Sequence, residues 1–293
     1  MLSRRCRYGI EATVPEGDTL HRIAKALVVL EGQVVHAVTL PRQPGRGASL
    51  TGSVVDEVQA VAKNLLITFD TGLVLHTHLM MTGVWHLYAQ GERWRRSPEI
   101  AVAVVAAGPW VAVCFGAPVV RLVERRRIER ELLVAGATTD LLAEDAVFDL
   151  DEVVRRLRDR NAVPLGEAVM DQRAVGGIGN VYKSEVAFVC GHDPRMPAAA
   201  LSQAQYEEIF TVARDLLLRN LGTGPRITRD REAGDRPGDD RYFVYGRGGK
   251  PCRTCKTNIE CYSLGEPPRW TWSCPRCQVR PPEPTGTASG AGS

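Results

Sequence analysis

The sequence predicts an α+β protein of several domains: a helix leading into a β domain, then a helical region, then a small C-terminal metal ribbon. Three observations carry that prediction. Apolar residues recur at i, i+3, i+4 spacing just after Pro15, at Leu20, Ile23, Ala24, Leu27 and Val28. Short apolar runs separated by Gly, Pro and Asp-Thr-Gly turns fill residues 34–123. Two Cys-x2-Cys pairs, Cys252/Cys255 and Cys274/Cys277, stand near the end. At 293 residues, 44% hydrophobic and 24% charged, the chain is long enough for two or three domains and has a globular composition.

In order along the chain, residues 1–13 carry Arg4, Arg5 and Arg7 without apolar periodicity and read as an appendage. At Pro15-Glu16-Gly17-Asp18-Thr19 an amphipathic helix opens, acidic in its first turn and with Gly32 just beyond its end. The β runs (Val54-Val55, Leu65-Leu66-Ile67, Leu73-Val74-Leu75, 102–105, 111–115) suit a sandwich or a barrel. The stretch 100–115 is broken by Gly108-Pro109, so it reads as two buried strands and a turn, not a membrane span. The charged run 124–131 reads as a link between domains. Leu150, Val153, Val154 and Leu157 share one helical face, and further helices are expected over 167–171, 181–188 and 206–218. Residues 222–240, rich in Gly, Asp and Arg, read as a flexible basic loop, and the Pro/Gly/Ser/Thr-rich tail 281–293 as disordered. No secretory signal is visible, which leads to the expectation of a cytoplasmic protein.

The cysteine pairs are eighteen residues apart and suit one tetrahedral zinc ion, with a hairpin between them. Four thiolates close the coordination sphere, so the metal is structural. The net charge of +3 is modest but uneven, with thirteen Lys or Arg against seven Asp or Glu over residues 219–280, which fits a polyanionic partner. Gly176-Gly177-Ile178-Gly179-Asn180 lets the backbone turn tightly and offers a helix N-terminus and an amide to an anion. The Lys and Ser/Thr of a nucleotide-binding loop are missing, which speaks against a nucleoside triphosphate. Lys63 sits at a turn between apolar strands. His76, His78 and His86 cluster around Met80-Met81 without an evident third metal ligand; phosphate contact or packing suits His78, and Met81 suits either the core or an inserted apolar wedge.

Together these pieces resemble the formamidopyrimidine-DNA glycosylase and endonuclease VIII family, and more closely its endonuclease VIII branch. The resemblance runs from Pro15 to Gln278. It rests on Pro15-Glu16-Gly17-Asp18-Thr19, Lys63, His78-Leu79-Met80-Met81-Thr82-Gly83, and Met170-Asp171-Gln172-Arg173 continuing through Gly177-Ile178-Gly179-Asn180-Val181-Tyr182-Lys183-Ser184-Glu185. Tyr245-Gly246-Arg247 and the cysteine ribbon with Arg269 complete it.

The resemblance implies a β-sandwich domain with its flanking helix over 15–128, a helix–two-turn–helix DNA-binding domain over 129–241, a zinc ribbon over 242–280, an extension over 1–14 and a tail over 281–293. It implies a monomeric glycosylase and abasic-site lyase acting on damaged double-stranded DNA, without a membrane. In that scheme Pro15 is the amine nucleophile, Glu16 the proton shuttle, and Lys63 a positive charge and acid near the leaving base or phosphate. Asn180 and Arg269 clamp backbone phosphates, Arg269 also counting among the catalytic groups, and Met81 fills the gap left by the flipped nucleotide. The sequence departs from the family at one place: Pro15 is internal, and its nitrogen is an amide with no nucleophilic lone pair. Val14 offers a resolution, as a start codon whose residue is removed, which makes Pro15 the expected mature N-terminus. Gly17-Asp18 after Pro15-Glu16, Phe115-Gly116-Ala117-Pro118 late in the β domain and a short 229–244 loop favour oxidised pyrimidines. The alternatives are a catalytically inactive DNA-binding member or an oxidised-purine glycosylase.

Overall fold

The computed structural model describes residues 15–134, 139–142, 150–158, 163–235 and 241–279. The expected N-terminal appendage and C-terminal tail lie outside the described residues.

The first helix, α1 (Gly17–Leu27), starts from Glu16 in an extended conformation, and the Thr19 side chain closes a capping box with it. Its buried residues Leu20, Ala24 and Leu27 form one stripe, which packs against the β domain. Eight strands follow: β1 (Val35–Thr39), β2 (Val55–Val61), β3 (Asn64–Phe69), β4 (Leu73–His78), β5 (Val84–Ala89), β6 (Ala101–Ala107), β7 (Trp110–Phe115) and β8 (Val119–Glu124). They pair antiparallel into two four-stranded sheets, β1-β6-β7-β5 and β2-β3-β4-β8. Of the two patterns the sequence allows, the sandwich is the one adopted.

Strand β3 shows why its apolar run is continuous. Leu65, Ile67 and Phe69 enter the sandwich core with Val55, Leu75, Val105 and Leu122, whereas Leu66 packs on the opposite face with Val74 and Ile128. Both faces are covered, so alternation with polar residues is lost. Ile128 belongs to α2 (Arg125–Val134), which occupies the charged run expected to be a link. The run is helical: its charges form one exposed face, where Glu131 receives Arg121 and Arg127, while Ile128 docks the other face on the sheet.

Helices α3 (Leu150–Arg158), α4 (Leu165–Ala168), α5 (Asn180–Val189) and α6 (Gln203–Arg219) share a second core containing Leu157, Ile178, Tyr182, Val186, Tyr206, Phe210 and Leu217. Strands β9 (Glu260–Leu264) and β10 (Arg269–Ser273) pair antiparallel as the ribbon hairpin. A small third core joins the hairpin to α5, through Phe188, Val244, Ile259 and Trp272. The basic loop expected over 222–240 is tied down where it is described. Arg226, Thr228 and Arg229 are buried, Arg229 meeting Asp235 and Arg226 meeting Asp18.

The β domain and the helical domain meet backbone to backbone. Gly17 N–H donates to the Gly177 carbonyl at 2.9 Å, and a Cβ on Gly17 would come within 2.8 Å of Gly177 Cα. Gly177 has a φ of +105°, which favours glycine. A Cβ on Gly179 would lie 2.4 Å from Glu16 Cδ, although the Gly179 φ of −126° suits any residue. Gly179→Ala therefore tests close approach without backbone strain. It is expected to cost about 1–3 kcal/mol of stability by overpacking, measured by denaturant unfolding.

Candidate active site

The site is built on the start of α5. A helix leaves its first N–H groups unsatisfied, and the residue before this one is Gly179, which has no side chain to cap them. Glu16 supplies the cap from the β domain. Its Oε1 accepts from Val181 N–H at 2.8 Å, and its Oε2 accepts from Gly179 N–H at 3.1 Å and Tyr182 N–H at 3.3 Å. The carboxylate is fully buried. The bare helix N-terminus that the glycine run suggested for an anion is thus corrected: those three donors belong to Glu16. Pro15, one peptide bond away, is held at the same junction.

A buried guanidinium completes the clamp. Arg226 donates to Asp18 through Nε at 2.9 Å and a terminal nitrogen at 2.6 Å, and to Thr19 Oγ1 at 2.8 Å. Its other terminal nitrogen lies 3.9 Å from Glu16 Oε1, and its plane stands 5.2 Å from the centre of the Tyr182 ring. A further tie holds the turn that carries Lys63. Ala62, at a φ of 54°, donates its N–H to Asp140 Oδ2 at 2.6 Å, and the same oxygen meets His21 Nε2 at 3.0 Å.

Lys63 is half-buried, and its ammonium is pushed down to about 8 by burial and by the charges of Arg269 and Arg226, against the pull of Glu16. Lys63, Glu16, Arg226 and Arg269 therefore act on one another electrostatically. Arg269 itself is exposed at the start of β10. Asn180 is the first residue of α5, and its side chain faces the Tyr245 hydroxyl. The structure thus gathers Pro15, Glu16, Lys63, Asn180 and Arg269 around the junction.

His78 and Met81 occupy the next loop. His78 lies opposite Asn64 in the β3–β4 ladder, and burial with the nearby Lys63 charge lowers its basicity. Its Nδ1 accepts the Met80 N–H at 3.2 Å, so at neutral pH it braces its own turn. Met81 is 52% exposed and not in the core, on a loop braced by Thr82 Oγ1 donating to the Gly116 carbonyl at 2.8 Å. His76 is buried and lowered to about 4, chiefly by burial, with Nε2 against Asn64 Oδ1 at 2.9 Å. His76 and His78 are turn-bracing and core groups.

At the other end, the Sγ atoms of Cys252, Cys255, Cys274 and Cys277 all lie within 4.8 Å of one another, with Cys252–Cys277 at 3.8 Å and Cys255–Cys274 at 3.4 Å. A tetrahedron of thiolates around zinc has sulfur–sulfur edges of about 3.8 Å, from Zn–S bonds of about 2.3 Å. The donor set and spacing fit that ion. Among the described residues this is the single grouping of this kind.

Sequence reasoning missed Arg226 and Asp140, and quoted Glu185 within a motif without assigning it a role. Glu185, fully buried, receives the N–H groups of Phe243, Val244 and Tyr245 at 2.7–2.8 Å and the Thr228 hydroxyl, and so fastens α5 to the approach of the ribbon. Besides its place in that motif, its signal was a carboxylate on an otherwise apolar helix face. Asp18 read as an ordinary first-turn acid, because its partner lies 208 residues away.

Two outcomes follow from these charges. Amine acylation of Lys63, followed by mass spectrometry across pH, is expected to show a midpoint of about 8, so Lys63 reacts at pH values where surface lysines remain protonated. Arg226→Met strands a buried carboxylate at Asp18 and is expected to cost about 3–5 kcal/mol of folding stability, read by thermal unfolding.

Comparison with known proteins shows the family and the fold. The model of the formamidopyrimidine-DNA glycosylase N-terminal domain matches residues 14–129, and that of the formamidopyrimidine-DNA glycosylase H2TH domain matches residues 140–232. A probable endonuclease 8 2 of Streptomyces coelicolor is 35% identical over 93% of this chain and 97% of its own length. A DNA-(apurinic or apyrimidinic site) lyase Nei2 of Mycolicibacterium smegmatis is 32% identical over 91% of this chain and 99% of its own. The crystal structure of the MutM (Fpg) protein from Thermus thermophilus superposes with a TM-score of 0.73 at 27% identity, covering 92% of this chain and all of that one. The chain belongs to the formamidopyrimidine-DNA glycosylase and endonuclease 8 family.

Proposed function

We propose that this chain is a bifunctional DNA glycosylase and abasic-site lyase of base excision repair, and that it prefers oxidised pyrimidines. The observation that carries the proposal is the junction itself: the Glu16 carboxylate fixed on α5, next in sequence to Pro15, with Lys63, Asn180 and Arg269 converging from three different elements. Family membership and relatives named as endonuclease 8 and as an abasic-site lyase support the class of reaction.

In this proposal a free Pro15 amine attacks C1′ of the damaged nucleotide as the base departs, leaving a Schiff base that acidifies the C2′ protons for β- and δ-elimination. Glu16 exchanges protons with the sugar, oriented by three N–H donors that prevent its carboxylate from turning away. Lys63, with its lowered basicity, is suited to giving up a proton near neutral pH to the leaving group or a phosphate. Asn180 and Arg269 hold backbone phosphates, and exposed Met81 occupies the vacated stack. The nucleophile requires the nitrogen of Pro15 to be free. We assign the domain limits 15–128, 129–241 and 242–280 to the sandwich, the DNA-binding helices and the ribbon, the ribbon holding one zinc ion on Cys252, Cys255, Cys274 and Cys277.

Borohydride trapping on an abasic duplex tests the chemistry. A chain beginning at Pro15 is expected to form a covalent adduct, and one retaining the preceding residues is not; adducts of equal yield from both would remove Pro15 from the mechanism. A panel of oxidised pyrimidines and purines in otherwise identical duplexes reads the lesion preference.

Arg269→Ala should lower the slope of log affinity against log salt by about one unit for one lost phosphate contact. An unchanged slope would show that Arg269 does not touch the backbone. Cys277→Ser should lose the metal, measured by elemental analysis, and weaken duplex binding while the sandwich stays folded. Glu16→Gln is expected to abolish excision and also to lower stability, since the amide brings an N–H2 against donors that need an acceptor. Its activity is therefore read well below its own unfolding temperature.

A further inference from the structure

Lys183 stands apart from the other cations of the junction. It lies on α5, three residues after Asn180, with its side chain fully buried. Its Nζ donates to Thr271 Oγ1 at 2.7 Å and to the Trp270 carbonyl at 3.4 Å. Both acceptors are neutral. No carboxylate lies within ion-pair distance of Nζ among the described residues. Its setting opposes an ammonium three times over: it is desolvated, it sits near the positive end of a helix, and Arg269 is close. A Met or Leu would fill the same volume without that penalty. The charge therefore has a consequence beyond packing.

The connection to Arg269 is direct. Thr271 Oγ1 accepts a hydrogen bond from Lys183 and donates its own hydroxyl to the Arg269 carbonyl at 3.2 Å. One hydroxyl thus ties the buried amine to the backbone of the strand that presents the guanidinium. The charged groups facing Lys183 are Arg269 from β10 and Glu16 from the segment ahead of α1.

We propose that Lys183 is a positioning residue for the backbone contact of Arg269, and that it takes up a proton from solvent when a DNA phosphate docks there. This rests on the DNA-binding function proposed above. In the free protein the amine is pushed down to about 7, first by burial and then by Arg269, with Glu16 opposing. A phosphate on Arg269 offsets that like charge, and the amine regains its proton. Binding and protonation then reinforce each other. Because the bound form holds its proton to higher pH than the free form, affinity is greatest below about pH 7 and weakens as pH rises, by at most about tenfold per pH unit for one proton. Lys63 adds its own dependence near 8, and that contribution is common to all the variants below.

The test uses the full chain with its ribbon metal, and a fluorescent duplex carrying a tetrahydrofuran abasic analogue. Anisotropy titrations at constant ionic strength from about pH 6 to about pH 9 compare the parent with Lys183→Met and Lys183→Arg, each checked for metal content. The parent is expected to weaken severalfold to tenfold across that range. Lys183→Met should match the parent's high-pH affinity and keep only the shallower dependence due to Lys63. Lys183→Arg, which stays protonated, should keep the parent's low-pH affinity and, like Lys183→Met, show only the shallower dependence due to Lys63. Calorimetry in two buffers of different ionisation heat should show up to about one proton fewer taken up per complex by Lys183→Met. A parent-like pH dependence in Lys183→Met overturns the proposal, as does a loss of affinity that is equal at every pH in both variants. Failure of the parent to bind the duplex even at low pH overturns the DNA-binding function itself.

Discussion

A single carboxylate decides how this molecule is put together. Glu16 gives α5 the cap that Gly179 lacks, and does so from a different domain. Removing it strands buried donors, each worth about 1–3 kcal/mol when unsatisfied. The same atoms that orient a proton-transfer group at the proposed catalytic centre therefore hold the sandwich against the helices. Function and architecture are not separable at this residue. The glycines around it follow from that: Gly17, Gly177 and Gly179 keep Cβ atoms out of a contact that must close to backbone distance.

The other ties across the junction are of the same kind. The sandwich, the helical domain and the ribbon each have a separate apolar core. Between the first two run directional contacts: Arg226 to Asp18 and Thr19, Asp140 to Ala62 and His21. From α5 to the ribbon run Glu185 to three backbone N–H groups and Lys183 to Thr271. Apolar surfaces tolerate sliding, whereas a bidentate guanidinium or a triply donated carboxylate has one geometry. Such contacts suit a site whose reacting groups come from segments far apart in sequence.

That pattern also explains what could be read from the sequence. Periodicity and apolar runs are local, so α1, β2, β3, β4, β6, β7, α6 and the paired cysteines were legible, as was the two-residue turn bearing Lys63, whereas β1, β5 and β8 were not singled out. The motif around Pro15-Glu16 and Gly177–Asn180 marked the right segments but not their mutual contact. The charged run 124–131 hid most of a helix because only Ile128 interrupts its arginines and glutamates. The loop at 226–229 looked solvated because burial of an arginine depends on a partner, and Asp18 is not in its neighbourhood along the chain. Long-range charge pairing has no period and leaves no spacing to find.

The separation of those partners bears on the order in which the chain becomes competent. Glu16 waits 163 to 166 residues for the N–H groups it receives, and Asp18 waits 208 for Arg226. Contacts of that span close late, since the entropy of the intervening loop must first be lost. During synthesis the sandwich strands leave the ribosome long before α5 or Arg226 exist, and domains fold as units from the N-terminus onward. The β domain can therefore pack its interior while its reactive corner is still unformed. In the proposed mechanism, a chain that stops short of α5 and Arg226 carries the acid without the groups that aim it. Assembly of the proposed site therefore waits for segments made long after the sandwich strands.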